Sequence, residues 1–403
     1  MRSLIFGGLI FLNLILTVTF VRAQANYVIG GKVTDESQKP LPGATVFVDG
    51  SQIATATNDD GVFRLVMPGP GSYHVSVQMI GYNTERKDLM LQDESVNLEF
   101  ILKIKPVALK QVNIGGEKNR NANLEIFKKH FLGVTPNGLA CKIINPEVLN
   151  FSTQKNLLVA GADDFLIIEN PNLGYRIKYL LKTFQYNKQA QVTAYDGEVV
   201  FEEMQGSKSQ KEHWAKNRLH VYNGSVMHYL RSVFANTTQQ EGFITRQLYK
   251  QGDKVLVNIS PIKVDSLVTK AGLNFVSLKL TGLQITYNLQ KAAQILKQPQ
   301  SINQGLTLVA DSALMQRAWE QGEIDDALNE AGQTGRLILT HSPTQSENPT
   351  YRTDLLPYVK AITIDAHGRV FSGYFLSFLL KGDWTYLRVG DQLPFEYIPP
   401  AAP

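Results

Sequence analysis

Cysteine is nearly absent from this sequence, and its scarcity excludes several kinds of protein. The 403 residues contain one cysteine, Cys141, so neither an internal disulfide framework nor a multi-cysteine metal site can form. The residues around Cys141 are largely apolar, and a buried free thiol behaves as a small hydrophobic side chain. We therefore expect Cys141 to pack in a core, and a nucleophilic role is the alternative.

Histidine is also scarce, and its spacing does not fit a zinc peptidase. None of the seven histidines has a glutamate three residues later, and no two of them lie four apart with a glutamate between. His213 and His220 share a similar face of a predicted helix, but the nearby Glu212 points to another face. The sequence predicts no metal ligand, and His213, His220 and His228 are expected to be core or surface residues.

Motifs for other chemistries are missing as well. Gly224-Ser225 lacks the second half of a Gly-x-Ser-x-Gly nucleophile turn, and no glycine-rich loop ends in Lys-Ser or Lys-Thr. Adjacent acids on a strand point to opposite faces and do not share one acid-base site; the adjacent acids here are Asp163-Asp164, Glu202-Glu203 and Asp325-Asp326. We predict no catalytic and no cofactor-binding residue, and a protein that is not an enzyme.

Neither sign of charge is in large excess. Lysine and arginine number 40 against 36 acidic residues, and the net charge of +4 does not call for a nucleic-acid partner. Hydrophobic residues make up 43% of the chain, which is enough for sizeable cores. The length allows roughly two or three domains of about 150 residues each.

One long apolar run is present, at the amino terminus. Met1-Arg2-Ser3 supplies a positive start, Leu4 to Phe20 is almost purely apolar, and Val21-Arg22-Ala23 suits signal peptidase. Residues 1–23 are therefore predicted to be a signal peptide that exports the protein to the periplasm or cell envelope. An uncleaved anchor is the alternative, because the run approaches the length that spans a bilayer.

After this leader the sequence has no second apolar run of spanning length. We therefore predict no transmembrane segment in the mature chain. The residue after the expected cleavage point is Gln24 and not cysteine, so no lipid-attachment signal is present.

Alternating polar and apolar residues dominate the stretch from about residue 26 to residue 105. Tyr27 to Thr34, Tyr73 to Met79 and Val96 to Leu102 have the two-residue period of strands. Pro40-Leu41-Pro42-Gly43 and Asn58-Asp59-Asp60-Gly61 are turn sequences. Six or seven short strands in about 80 residues, without a helical period, favour an antiparallel sandwich.

The acidic turn has two interpretations. Asp59 and Asp60 could contribute to a calcium site, but calcium takes six or more oxygen ligands and this turn offers about half of them. A tight hairpin turn is a sufficient explanation, because aspartate and asparagine accept local hydrogen bonds and glycine adopts positive φ.

Several of these runs resemble the carboxypeptidase-regulatory-like (transthyretin-like) domain. They are Ile29 to Asp35, Pro40 to Val46, Thr57 to Leu65, Tyr73 to Val77 and Ile80 to Tyr82. The resemblance implies a non-catalytic module that accompanies metallocarboxypeptidases, outer-membrane receptors and many envelope proteins of Bacteroidota. Some proteins with this sandwich bind carbohydrate, which makes glycan binding through exposed Tyr27, Tyr73 or Tyr82 an alternative.

The remaining sequence mixes strand and helix patterns. Helices are predicted for Asn121 to Leu132, Lys208 to Tyr222 and Asp311 to Ala331, and Ser225 is predicted to cap another helix. The remaining sequence also resembles an extension of Bacteroidota proteins with this module, on Cys141 to Glu147, Leu166 to Asn170, Leu173 to Tyr179, Trp214, Asn217-Arg218, Tyr222 to Ser225, His228, Leu230-Arg231 and Glu241 to Phe243. One departure is Tyr195 to Phe201, where that resemblance implies a tyrosine-glycine-tyrosine type of turn, so the strand register there is open.

The predicted fold class is mainly β with some α. An N-terminal antiparallel β-sandwich of immunoglobulin or prealbumin type occupies residues 26–105, a linker occupies 106–123, and a β-rich α+β domain occupies 124–403. Alternating segments interrupted by helices do not fit an outer-membrane barrel.

Basic and aromatic residues alternate between Lys208 and Arg231. Such a helical surface can contact anionic lipid headgroups or charged glycans as a peripheral membrane contact. The alternative is a solvated basic face whose aromatic residues Trp214, Tyr222 and Tyr229 pack inward.

The leading hypothesis is an exported envelope binding or scaffold protein whose partner is an unidentified envelope protein or a glycan. The first alternative is a carbohydrate-binding envelope protein. The second is a peptidase-associated or hydrolytic enzyme with an unrecognised site in residues 140–400, which requires a deep pocket with converging acids or histidines.

Cleavage of the leader predicts a mature chain that begins at Gln24. Mass spectrometry of the amino terminus, on protein recovered from the envelope fraction of its own cell, checks this expectation. An intact Met1 would instead identify residues 1–23 as an anchor.

Overall fold

The computed structural model describes residues 27–92, 94–105, 116–251, 254–297, 306–308, 336–339, 351–371 and 378–400. The predicted signal peptide, the predicted helix from Asp311 to Ala331 and the acid pair Asp325-Asp326 lie outside the described residues. Residues 106–115 of the predicted linker do so as well.

The first domain is a two-sheet sandwich, as predicted. One sheet has the strand order β4-β1-β7 and the other the order β3-β2-β5-β6. One pairing differs from the antiparallel expectation, because β1 and β7 run parallel. The strands are β1 (Tyr27–Asp35), β2 (Thr45–Val48), β3 (Ala54–Ala56), β4 (Val62–Met67), β5 (Gly71–Gln78), β6 (Glu85–Leu91) and β7 (Val96–Leu102).

Strand β5 is buried on both faces, whereas β4 is buried on one. In β4 the side chains alternate between exposed and buried, with Phe63 and Leu65 in the sandwich core. In β5 every residue is buried. Because successive side chains point to opposite faces, His74 and Ser76 must face away from the core that contains Tyr73 and Val75. The outer face of β5 is therefore covered by other parts of the protein.

A seven-stranded sheet follows, with the order β20-β13-β12-β10-β9; β11 also pairs with β12, and β8 pairs with β11. Helix α1 packs on it through Phe127 and Phe131, which lie in the same core as Phe184 and Tyr195. The elements are α1 (Gly116–Phe131), α2 (Pro136–Ala140), β8 (Lys142–Ile143), β9 (Leu149–Gln154), β10 (Leu157–Ala162), β11 (Leu166–Asn170), β12 (Tyr175–Asn187), β13 (Val192–Glu203) and β20 (Arg336–Leu339).

The last part contains a six-stranded sheet of order β19-β15-β14-β18-β21-β23 and a three-stranded sheet of order β16-β17-β22. Its elements are α3 (Lys208–Tyr222), α4 (Val226–Ala235), β14 (Phe243–Gln251), β15 (Lys254–Asn258), β16 (Val268–Lys270), β17 (Phe275–Lys279), β18 (Leu283–Tyr287), α5 (Leu289–Lys297), β19 (Leu306–Leu308), β21 (Tyr351–Pro357), β22 (Ala361–Asp365) and β23 (Phe378–Gly382). Residues predicted as one domain thus build two hydrophobic cores.

The helix boundaries test two further expectations. Helix α3 has the predicted bounds, and the Ser225 side chain caps α4 by accepting a hydrogen bond from the backbone N–H of His228. Helix α1, however, begins at Gly116, so residues 116–123 of the predicted linker are helical. None of the described helices is long and apolar enough to span a bilayer.

The closing segment, residues 384–395, contributes to all three cores. Trp384 lies in the core of the last part, Val389 and Leu393 lie in the core of the seven-stranded sheet, and Phe395 lies in the sandwich core. The chain therefore passes through the point where the three cores meet.

The register left open at Tyr195 to Phe201 is settled by a bulge. No turn interrupts β13; instead the pairing of β12 with β13 shifts between Leu181 and Thr183, opposite Gly197 and Asp196. An added Cβ at Gly197 would lie 2.3 Å from the Leu180 carbonyl oxygen. Only glycine permits this approach of the two strands.

We predict that Gly197→Ala lowers the free energy of unfolding by about 1–3 kcal/mol, because the methyl group must displace the backbone of β12. Denaturant unfolding of the mature chain measures the change. Gly69→Ala is the matched control, because a Cβ at Gly69 meets nothing within 4 Å. Equal midpoints for the two variants would contradict the steric argument.

Candidate functional site: a cavity where three cores meet

A cavity of about 270 Å³ lies between the sandwich, the seven-stranded sheet and the last part of the chain. Its wall combines apolar side chains with a set of charged ones. The apolar lining includes Val199, Phe201, Val221, Val370, Leu380, Trp384, Leu387, Leu393 and Phe395. The charged and histidine lining is Asp49, His74, Arg86, Asp196, His367, Arg369, Arg388 and Asp391.

The loop after β2 fixes the sandwich against the other two walls. The backbone N–H of Gly50 donates to the Val199 carbonyl at 2.7 Å, and the N–H of Phe201 donates to the Ser51 carbonyl at 2.7 Å. On its other side, the Gly50 carbonyl accepts from the N–H of Phe395 at 2.8 Å. Asp49 Oδ1 accepts from the N–H of Val199 at 2.7 Å. The sandwich is thus docked by backbone pairing and is not a tethered module.

The sandwich contributes a histidine, an arginine and an aspartate that bind one another. His74 Nδ1 lies 2.7 Å from Asp88 Oδ1, and Arg86 Nε donates to the same oxygen at 2.7 Å. Burial opposes ionisation of Asp88, but hydrogen bonds from His74 and Arg86 outweigh it and hold the pKa of Asp88 well below its usual range. Burial lowers the pKa of His74, although the hydrogen bond with Asp88 acts in the opposite direction.

The turn after β22 supplies His367 and Arg369. Asp365 is fully buried, and its Oδ1 accepts from the N–H groups of His367 at 2.9 Å and Arg369 at 3.0 Å. Its Oδ2 accepts from the N–H of Ser72 in β5 at 2.8 Å. This carboxylate therefore fixes the turn and attaches it to the sandwich.

The Arg369 guanidinium is buried, with 8% of the residue exposed. It lies over the Phe395 ring at 4.5 Å from the centroid, which is the geometry of a cation–π contact. Its Nη1 is buried and has no hydrogen-bond partner. A buried unpaired donor of this kind marks a place where a water or a ligand belongs.

Asp391 also lines the cavity. Its carboxylate accepts hydrogen bonds from Thr135 Oγ1 at 2.8 Å and Asn137 Nδ2 at 3.0 Å. Burial raises the pKa of Asp391 to about 6 in spite of these bonds. Cys141 lies nearby, and burial together with the Asp391 charge raises the pKa of its thiol to about 12, so the thiolate is scarce at neutral pH.

The histidines weighed as zinc ligands are separate in the structure. His213 and His220 are exposed on α3, whereas His228 is buried and its Nε2 lies 2.8 Å from Glu241 Oε2. Within the described part of the chain, no group of three or more histidine, cysteine or acidic residues is arranged to hold a metal ion.

The other sequence candidates have structural explanations. Asn58 Oδ1 accepts from the N–H groups of Asp60 and Val62, which makes the acidic segment a tight turn. The turn is not a hairpin, because it joins β3 to β4, which lie in different sheets. Tyr73 is fully buried and donates to the Gly69 carbonyl, so it offers no surface to a glycan. Tyr27 and Tyr82 are half-buried against the sandwich core.

The basic and aromatic segment from Lys208 to Arg231 does not present an aromatic surface. Trp214, Tyr222 and Tyr229 are buried, as the second interpretation predicts. Arg231 is also structural, because it donates to the carbonyl oxygens of His367, Phe395 and Tyr397 at 3.0, 2.6 and 2.7 Å.

Sequence reasoning missed most residues of the cavity wall. His74 and Arg86 point away from the sandwich core. From the strand pattern alone, such positions are predicted to face solvent. Arg369 follows a recognisable Asp-x-x-Gly turn, but nothing in the sequence indicates that this turn packs against β5. One indication of these residues was present in the sequence: polar side chains alternate with apolar ones along the strands that contribute to the wall.

The match to a family model concerns the first domain. Residues 29–114 match the family model of the CarboxypepD_reg-like domain. No curated protein matches the chain. The family-model match confirms the resemblance drawn from the strand sequences. It covers the sandwich, which forms one wall of the cavity.

Solved structures resemble parts of the chain at low similarity. A type II cohesin-X-dockerin complex from Acetivibrio cellulolyticus has 16% identity over 25% of this chain and 72% of that chain, with a TM-score of 0.19. Chlorocatechol 1,2-dioxygenase from Pseudomonas putida has 12% identity over 20% and 62%, with a TM-score of 0.16. A DUF3823 family protein from Bacteroides ovatus has 7% identity over 45% and 100%, with a TM-score of 0.17. Scores this low carry no information on function.

The raised pKa of Asp391 predicts a pH-dependent stability. Between its ordinary value of 3.8 and about 6, the folded chain keeps a proton that the unfolded chain releases, so this carboxyl reduces stability as the pH rises. Asp391→Asn cannot ionise. The variant should therefore gain about 3 kcal/mol of unfolding free energy relative to the native chain between pH 4 and pH 7.

Denaturant unfolding of both chains at a series of pH values measures this gain. The amide of Asp391→Asn also changes the hydrogen bonds with Thr135 and Asn137. That effect is the same at every pH, so it does not alter how the stability difference between the two chains depends on pH. Asp59→Asn in the exposed turn is the matched substitution. A difference between Asp391→Asn and the native chain that does not change with pH would contradict the expectation.

Proposed function

We propose that this protein is an exported, non-catalytic binding protein of the cell envelope that holds a small ligand in the cavity between its three cores. The observation that carries the proposal is the composition of the wall around Arg369. A buried guanidinium donor without a hydrogen-bond partner is costly to the fold. A bound ligand that accepts a hydrogen bond there removes that cost.

The arrangement of the acidic groups supports binding over catalysis. Asp49 and Asp391 accept hydrogen bonds from the protein itself, which fixes them as parts of the wall. Ser225 also lines the cavity, but its hydroxyl caps α4. With its raised pKa, the Cys141 thiol is unsuited to nucleophilic attack.

The CarboxypepD_reg-like domain has a structural role in this proposal. Its β5 and β6 place His74 and Arg86 in the wall, and its β2–β3 loop pairs with β13 through backbone hydrogen bonds. The sandwich therefore completes the binding site and does not act as an independent glycan-binding module. Location in the periplasm or envelope is supported by the apolar leader at residues 4–20.

A cavity-filling variant tests the ligand-binding role. Leu387 lines the cavity and is half-buried, so Leu387→Trp places an indole in the space that a ligand needs. The mature native chain, incubated with envelope extract and repurified, should retain a small molecule by native mass spectrometry that Leu387→Trp does not retain.

Leu273→Trp is the matched control, because Leu273 is 89% exposed; this variant should retain the same molecule as the native chain. If the native chain retains nothing that Leu387→Trp lacks, the binding role is wrong. Release of the molecule in a chemically altered form would instead favour the enzyme alternative.

A further inference from the structure

We infer that the cavity binds a small, singly charged carboxylate with an apolar body, and that Arg369 holds the carboxylate. This inference rests on the proposed function and specifies the chemical class of its ligand. It follows from three properties of the wall: the unpaired donors, the acids that already have partners, and the apolar remainder.

Arg369 contributes a buried, unpaired donor to the cavity. Its Cζ lies 4.5 Å from the centroid of the Phe395 ring and 6.0 Å from that of Tyr73. A ring beneath the guanidinium does not replace a hydrogen-bond acceptor for its N–H groups, and Nη1 has no hydrogen-bond partner. The buried unpaired groups also include two acceptors, Gln392 Oε1 and Glu396 Oε2.

A second buried nitrogen lies on the same turn. His367 Nδ1 has no hydrogen-bond partner and lies 4.0 Å from Asp365 Oδ2. In the tautomer that carries a proton on Nδ1 this nitrogen is a donor. The amino-terminal end of α4, where Ser225, Val226 and Met227 line the cavity, adds the positive end of a helix dipole.

Two described acids lie near Arg369, and neither is hydrogen-bonded to its Nη1. Both oxygens of Asp365 accept backbone N–H groups, and Glu396 Oε1 accepts from the N–H of Gln52. Burial raises the pKa of Glu396, and the charge of Arg369 opposes that rise. Among the described residues Nη1 therefore has no acceptor, and the ligand's carboxylate is assigned to this nitrogen.

The number of charges limits the anion. Asp49, Asp196 and Asp391 line the cavity together with Arg86, Arg369 and Arg388, so the wall has no excess of positive charge to hold a dianion such as a phosphate monoester. A carboxylate carries a single charge, and its planar pair of oxygens fits the guanidinium edge. These acids therefore favour a carboxylate over a phosphate.

The rest of the ligand must be apolar and small. Val370, Leu380 and Leu387 line the cavity beside the Arg369 turn, and polar atoms against them lose hydration without gaining partners. A cavity of about 270 Å³ has the volume of about nine water molecules at about 30 Å³ each. This is the size of a medium-chain carboxylate or a capped apolar amino acid.

Octanoate and 1-octanol test the inference, because they have the same chain length and differ in the charged group. The mature native chain should bind octanoate saturably and more tightly than 1-octanol in isothermal titration calorimetry. Arg369→Met keeps much of the side-chain volume and removes the charge. It should weaken octanoate binding by about tenfold or more, the scale of one lost charge-assisted hydrogen bond, and should leave 1-octanol binding within about twofold.

Arg64→Met, at an exposed position of β4, is the matched control and should bind both probes like the native chain. Binding of 1-octanol by Arg369→Met also reports that the cavity is folded. N-acetyl-leucine, titrated in parallel, distinguishes a peptide carboxyl terminus from an alkyl carboxylate by which of the two binds more tightly.

Three results would overturn the inference: no saturable octanoate binding, equal affinity for octanoate and 1-octanol, or octanoate binding unchanged in Arg369→Met. In each case the proposed binding role stands or fails separately, because its test uses the retained natural molecule and Leu387→Trp and does not depend on charge.

Discussion

The convergence of three hydrophobic cores on one short segment determines the structure of this protein. Trp384, Leu393 and Phe395 each belong to a different core, and full burial of a side chain of this kind contributes about 1.5–3 kcal/mol. Arg231 holds the segment in place by donating to the carbonyl oxygens of Phe395 and Tyr397. The position of one core relative to another therefore depends on contacts that each core alone cannot supply.

A cavity at this junction is a consequence of packing three separately closed cores against one another. Each core interdigitates its own side chains at high density, but the surfaces that meet at the junction carry His74, Arg369 and Asp391. Hydrogen bonds within the protein satisfy Asp391 and leave Arg369 Nη1 without a partner. This difference between one acid and one base of the junction is a basis for the ligand that we infer.

The sequence predicted the elements whose patterns are local. The alternation of Tyr73, Val75 and Val77 identified β5, and the capping serine before Val226 identified α4, because strand period and helix caps depend on nearby residues. The sequence did not show that Ser72, His74 and Ser76 are buried as well, because burial of an outer face depends on what packs there. Residues 116–123 were assigned to a linker because they have few apolar side chains, yet they continue helix α1, whose packing is provided by Phe127 and Phe131.

The candidate site was less predictable than the fold, because its residues are brought together by tertiary packing and not by local sequence patterns. Its charged residues come from positions as distant as Asp49 and Asp391, and no spacing rule connects them. The bulge opposite Gly197 and the docking loop at Gly50 are likewise tertiary features. Glycine allows two backbones to approach closely at these positions, but the sequence does not show which backbones do so.

The closing segment also affects the order in which the molecule can be assembled. Domains form from the amino terminus onward as a chain emerges, and residues 387–395 emerge after every other residue that lines the cavity. The sandwich can close its own strands early, but Phe395, a member of its core, arrives about 300 residues later than Tyr73, the ring beside it. Until then the front domain has an incomplete interior, and its final packing occurs in the same step that creates the cavity.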